Sequence, residues 1–167
     1  MAYQNKTFVS FDGDSDIHYY RLMTAWKQND SLPFNFYNAH DLNSARDSSS
    51  EESIKAQLAE RLRNSAVFVL LVGDKTRYLR KFVLWEIEQA IKRQLPTIVV
   101  NLNGKRSMDN ERCPSLLTGK LAVHVSFNAA IVQHALENWP ATDESCRAQT
   151  MSGPYYYNDS VYERFGL

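Results

Sequence analysis

Apolar residues in this chain alternate between short unbroken runs and stripes with helical spacing. Residues 67–72, Val-Phe-Val-Leu-Leu-Val, form an unbroken apolar run, as expected of a strand covered on both faces. Shorter β-rich runs at 7–11, 34–37, 96–101 and 121–125 predict four further strands, with Pro96 tolerable only at a strand entrance. Between them the spacing changes. Tyr19, Leu22, Met23 and Trp26 share one face of a helix that runs to about Gln28 and is capped by Asp14 or Ser15. Ser49 and Glu52 have capping-box spacing and open a helix with Ile54, Leu58, Ala59 and Leu62 on one stripe. A third helix, from Phe82 to about Arg93, carries Val83, Ile87, Ala90 and Ile91 on its apolar side, with Glu86 at the margin and Trp85 roughly opposite. A closing helix over 131–136 is expected to stop by Pro140.

Strands alternating with helices through short connections predict an α/β fold of three layers, helices on both faces of a parallel sheet. The expected topology is flavodoxin-like, five strands in the order 2-1-3-4-5. Residues 1–140 make the domain on this reading. The tail, 141–167, is turn-rich and then aromatic (Tyr155, Tyr156, Tyr157, Tyr162, Phe165) and is expected to pack on the domain or on a partner.

Composition narrows the function classes. The chain has 167 residues, enough for one compact domain, and 19 basic residues balance 19 acidic ones. With no global basic field, nucleic-acid or membrane attraction is not expected as the main activity. Residues 1–6 lack an apolar signal core and no apolar run reaches membrane-spanning length, so the expected location is cytoplasmic. Cys113 and Cys146 form no CxxC pair and have no His at metal spacing; they are expected to be structural or incidental thiols, with no metal or cofactor implied.

Candidate chemistry centres on Glu86, an acid in the first turns of a helix beyond a strand's carboxyl end, where open α/β sheets bind ligands. Phe82 precedes it by one helical turn, so an aromatic ring lies beside the carboxylate. The plain alternative is a solvated glutamate near a positive helix end. Asp12, Asp14 and Asp16 follow the first strand, but a receiver-type phosphoacceptor also needs a lysine after strand five, where the chain reads Val125, Ser126, Phe127. His18, His40, His124 and His134 make no metal-type pair, and no dinucleotide fingerprint, P-loop or nucleophile elbow occurs. The basic stretch 75–81 is a solvated loop or a phosphate contact.

Three segments together resemble Toll/interleukin-1 receptor (TIR) domains, specifically the bacterial TIR-like family. Residues 8–13, Phe-Val-Ser-Phe-Asp-Gly, look like the family's first box; residues 34–46 correspond to its second strand and variable BB loop; residues 82–87, Phe-Val-Leu-Trp-Glu-Ile, are similar to its W-V-x-x-E-[IL] signature, with Phe82 in place of tryptophan. The likeness spans about residues 6–137 and is closer still to the TIR-like sensor subunit of the Thoeris anti-phage system. It implies cleavage of NAD⁺ at the nicotinamide–ribose bond, with Glu86 as the catalytic glutamate. The product would be a cyclic ADP-ribose-type signal that diffuses to a separate effector, made only once an infection trigger acts. Self-association through TIR surfaces is also implied, for which Trp85 and the aromatic tail are suited.

That chemistry is coherent with a single carboxylate. Nicotinamide leaves a pyridinium cation as a neutral molecule, so the second carboxyl group of most glycosidases is not needed. The remaining task is to stabilise an oxocarbenium-like ribose. In the implied site Phe11 and Asp12 line the ribose–nicotinamide side, Phe82 stacks, and His18 reaches the same cleft. Asp41, Asn43, Ser44 and Arg46 close over the substrate, with Arg46 toward the pyrophosphate. NAD⁺ is then substrate, not cofactor. Two other classes remain open: a non-catalytic TIR scaffold for protein–protein signalling, and an N-glycosidic enzyme related to nucleoside deoxyribosyltransferases.

Overall fold

A computed structural model describes residues 6–28, 35–37 and 50–167. Strands β1 (Lys6–Ser10), β2 (Asn35–Tyr37), β3 (Val67–Val72), β4 (Thr97–Asn101), β5 (Ala122–Ser126) and β6 (Pro154–Tyr156) form one sheet. Helices α1 (Ile17–Gln28), α2 (Glu51–Arg63), α3 (Phe82–Lys92), α4 (Ala129–Ala148) and α5 (Asp159–Glu163) connect and close it, with short 3-10 turns at Thr76–Tyr78 and Ser115–Leu117. Hydrogen-bonded neighbours run β2-β1-β3-β4-β5-β6 across the sheet, every pair parallel. The fold is therefore α/β and flavodoxin-like, with one strand more than the five expected.

Side chains alternate strictly along the strands, which makes two cores. Val9, Val69, Val100 and Val125 point toward α1 and α4, where Met23, Ile131, Ala135 and Trp139 meet them. Phe8, Phe68, Leu70 and Val99 point the other way, onto Ile54, Leu58 and Leu62 of α2 and Val83, Ile87 and Ala90 of α3. All six residues of β3 are buried because this strand lies inside the sheet with helices above and below. His124 of β5 is wholly buried, and the loss of hydration pushes its pKa down to about 4.

Several expectations need correcting. On α1 the buried residues are Tyr20 and Met23, Tyr19 and Trp26 are half-buried, and Leu22 is exposed. The cap of α2 is Ser50, whose hydroxyl accepts from the Ser53 amide at 3.1 Å, one residue beyond the expected Ser49. Trp85 is half-buried against the α2–α3 core, with the Lys55 ammonium 5.9 Å from its ring, because α2 covers the outer flank of α3.

The largest correction concerns Pro140, which lies inside α4 rather than after it. Proline removes one intrahelical donor, yet Leu136 and Trp139 before it and Asp143 and Cys146 after it are all buried. Packing on both sides of the proline carries the helix through, so a division at residue 140 cuts an element in two. The following segment pairs with β5 as β6, its Pro154 at the strand entrance on an outer edge. Tyr162 then returns to the first core: its side chain has no exposure, its hydroxyl accepts from the Ser126 amide at 3.3 Å, and the Arg106 guanidinium lies 4.2 Å from its ring centre. Both cysteines are free and buried, and burial pushes the Cys113 thiol up to about 12. Among the described residues no helix is long and apolar enough to cross a membrane.

Tyr162→Ala would empty a fully buried aromatic site and orphan the Ser126 amide. The expected loss is about 3–5 kcal/mol of unfolding free energy, read as a lower urea midpoint; a loss under about 1 kcal/mol would mean the tail is not part of the core.

Candidate functional site

Two cavities open at the carboxyl ends of the strands, on either side of the turn that joins β1 to α1. That turn is tightly wound: the Asp16 amide donates to the Asp12 carbonyl at 2.8 Å, and the Asp14 amide to Asp12 Oδ1 at 3.1 Å. Asp12 and Asp16 are both buried.

The first cavity, about 300 Å³, lies between this turn and the entrance of α3. Phe11 and Asp12 wall one side and Phe82 and Val83 the other, with Arg80 and Lys81 at the rim. Phe11 is held by stacking on Tyr20, ring centres 4.8 Å apart and planes 14° apart. The amides that open α3 receive no side-chain cap from Lys81, so the helix presents the positive end of its dipole here. Glu86 is one turn further along α3, about 6 Å by the rise of the helix. It is only 1% exposed, on the buried stripe it shares with Phe82 and Ala90. The margin position expected from the helical wheel is thus an inward one, since α3 buries a wider face than its aliphatic residues alone define.

The second cavity, about 430 Å³, lies on the other side of the turn, bounded by Asp16, His18 and Tyr19, by Gly73, Asp74 and Lys75 after β3, and by Leu102, Asn103 and Arg112. His18 therefore belongs to this cavity and not to the one lined by Phe11 and Phe82; its ring leans on Tyr19 at 4.0 Å. Asp16 packs against Gly73 so closely that a methyl group there would come within 2.4 Å of its carboxylate. Burial, then the Asp12 and Asp74 charges, raise its pKa to about 6. Asp74 pairs with Arg112 at 2.8 Å. Asp109 braces this wall, accepting from the Asn103 side chain at 2.9 Å and the Arg112 amide at 3.0 Å. Burial opposes its charge, but these donors and the Glu111 amide hold its carboxyl below the usual range.

The model for the family described as Thoeris protein ThsB, TIR-like domain, matches residues 8–107, more than half of the chain. The chain belongs to that family. No curated protein matches it. Of the site residues the family resemblance implies, Phe11, Asp12 and Phe82 meet in one cavity, Glu86 is buried one helical turn beyond Phe82 without lining either cavity, and His18 faces the neighbouring one. Asp41, Asn43, Ser44 and Arg46 lie outside the described residues. Sequence reasoning missed Arg80 and Lys81 as individual wall residues, and Asp16 with Gly73. The first pair was visible only as a basic loop; the second depends on two turns about sixty residues apart meeting in space.

Asp16 gives a pH test. Its folded pKa, about 6, lies above the ordinary 3.8, so its contribution to stability is present below about pH 3.8 and lost as pH rises through 6. Asp16→Asn removes that loss and should raise the unfolding free energy relative to the parent at pH 7–8 by on the order of 1–2 kcal/mol, read as a higher urea midpoint, with the advantage gone near pH 4. His124 titrates in the opposite sense over the same window, so the comparison is made between variant and parent at each pH. An advantage that does not change with pH would contradict the assignment.

Proposed function

We propose that this TIR-like domain cleaves NAD⁺ at the nicotinamide–ribose bond and releases a cyclic ADP-ribose-type or hydrolysed product as a signal in anti-phage defence. The observation that carries the reading is Glu86: an acid at 1% exposure, one helical turn beyond a phenylalanine that walls a cavity at the sheet's carboxyl end. The cavity suits the nicotinamide–ribose half of the molecule. Phe82 walls the side proposed for the pyridinium, although most of its ring is packed in the core, and Asp12 offers an acceptor for ribose hydroxyls. Arg80, Lys81 and the uncapped amides of α3 attract the pyrophosphate.

As the C–N bond breaks, its electron pair leaves with nicotinamide, which is neutral and needs no proton. Positive charge then develops on the ribose. On this reading the Glu86 carboxylate, buried one helical turn behind Phe82, stabilises that charge with little screening by water. The ribosyl cation is captured by water, or by a nucleophilic atom of the adenosine end, which gives the cyclic product. Phenylalanine in place of the signature tryptophan keeps the stacking face and gives up the indole donor, so orientation falls to the hydroxyl and phosphate contacts. The fold and family are equally compatible with a scaffold that signals by contact, and a deoxyribosyltransferase-like enzyme would also use one buried glutamate; the buried Glu86 beside a walled cavity favours catalysis over the first.

Cells expressing the chain and challenged with phage should lose NAD⁺ and accumulate an ADP-ribose isomer by mass spectrometry. Glu86→Gln should slow this about 10²-fold or more at equal protein level. Undiminished NAD⁺ loss in Glu86→Gln would sink the proposal, as would protection that persists in the variant without any NAD⁺ loss. Base release from deoxynucleosides in place of NAD⁺ would support the deoxyribosyltransferase reading.

A further inference from the structure

The Asp16–Gly73 cavity has no part in the chemistry proposed for Glu86, yet it occupies the crevice where β1, β3 and β4 end, the place open α/β sheets use for ligands. Its composition is specific. Asp16 is 6% exposed and lines the cavity; its Oδ2 is sealed against Gly73 with no hydrogen-bond partner among the described residues, so a ligand meets the carboxylate through its other oxygen. Leaving a carboxylate oxygen buried and unsatisfied is costly, and a serine or alanine at this helix start would avoid the cost. Gly73 makes the arrangement possible, since any side chain there collides with the carboxylate. At the mouth the chemistry reverses: Lys75 and His18 are exposed cationic or cation-forming groups, while Arg112 is tied to Asp74. Asp109 fixes Asn103 and Arg112 on the far wall, so that side is pre-organised.

A ligand for this cavity must donate hydrogen bonds at the buried end and carry negative charge at the open end. A bare phosphate would face Asp16, and a polyamine would face Lys75 and Arg112. A divalent cation is disfavoured too, since no group of three or more metal-type side chains occurs among the described residues. A phosphorylated sugar satisfies both ends. We propose that this cavity is a second ligand site that binds a phosphorylated sugar, free or as part of a nucleotide, with its hydroxyls on Asp16 and its phosphate toward Lys75 and His18. Because it lies across the turn from the Phe11–Phe82 cavity, it is filled independently of the Glu86 chemistry.

Titration calorimetry on the full chain carrying Glu86→Gln tests this with ribose 5-phosphate, AMP and inorganic phosphate. Ribose 5-phosphate and AMP should bind and phosphate alone should not. Equal affinity for the first two would identify a free sugar phosphate as the fitting ligand, and tighter AMP a nucleotide. Adding Asp16→Asn, or separately Gly73→Ala, should weaken binding about tenfold or more, while Phe82→Ala should leave it unchanged. Thermal unfolding checks that each variant is folded, and Asp16→Asn alone suffices if Gly73→Ala is not. No binding of either sugar phosphate at millimolar concentration overturns the proposal. So does binding that survives Asp16→Asn, or that is lost with Phe82→Ala.

Discussion

An acid held inside an apolar stripe is the feature on which the candidate site depends. On α3, Phe82, Val83, Ile87 and Ala90 pack on the sheet, and Glu86 is buried with them instead of facing water. A charged carboxylate in such a place is expensive, and helices ordinarily turn their glutamates outward. The sheet makes the position rigid: β3 and β4 lie inside it, with helices on both faces, so α3 has little freedom to rotate the acid away. In the proposed chemistry, low dielectric is also what would make one carboxylate effective on a developing cation, since the same charge in water would be screened.

The rest of the molecule can be understood as support for that corner. Strand β1 delivers Phe11 and Asp12 to one wall because it pairs directly with β3, whose following turn leads to α3. Tyr20 stacks on Phe11 and so ties α1 to the same wall. On the far edge, α4, β6 and α5 complete the first core through Trp139 and Tyr162. The aromatic tail is therefore part of the domain's interior as much as of its surface.

Much of this was legible in the sequence, for reasons that differ by element. Val67–Val72 declared itself because a strand buried on both faces needs no alternation. The stripe Ile54, Leu58, Leu62 declared itself because only a helix brings residues four apart onto one face. Pro140 misled because its local effect is to end helices, whereas here buried side chains on both sides of it outweigh the lost hydrogen bond. Strand β6 was hidden by its length of three residues and its leading proline. Glu86 was placed at a margin because a wheel ranks positions by their neighbours' hydrophobicity, and a buried acid breaks that rule. The Asp16–Gly73 contact had no local signature at all, since neither residue is unusual until the two turns are brought together.

The most direct test is a crystal structure of the protein with a non-cleavable carbocyclic NAD⁺ analogue. The account predicts the pyridinium ring against Phe82 and the Glu86 carboxylate within about 3 Å of a hydroxyl on the adjoining ring. An analogue bound elsewhere, with Glu86 still packed away and touching none of it, would contradict the account.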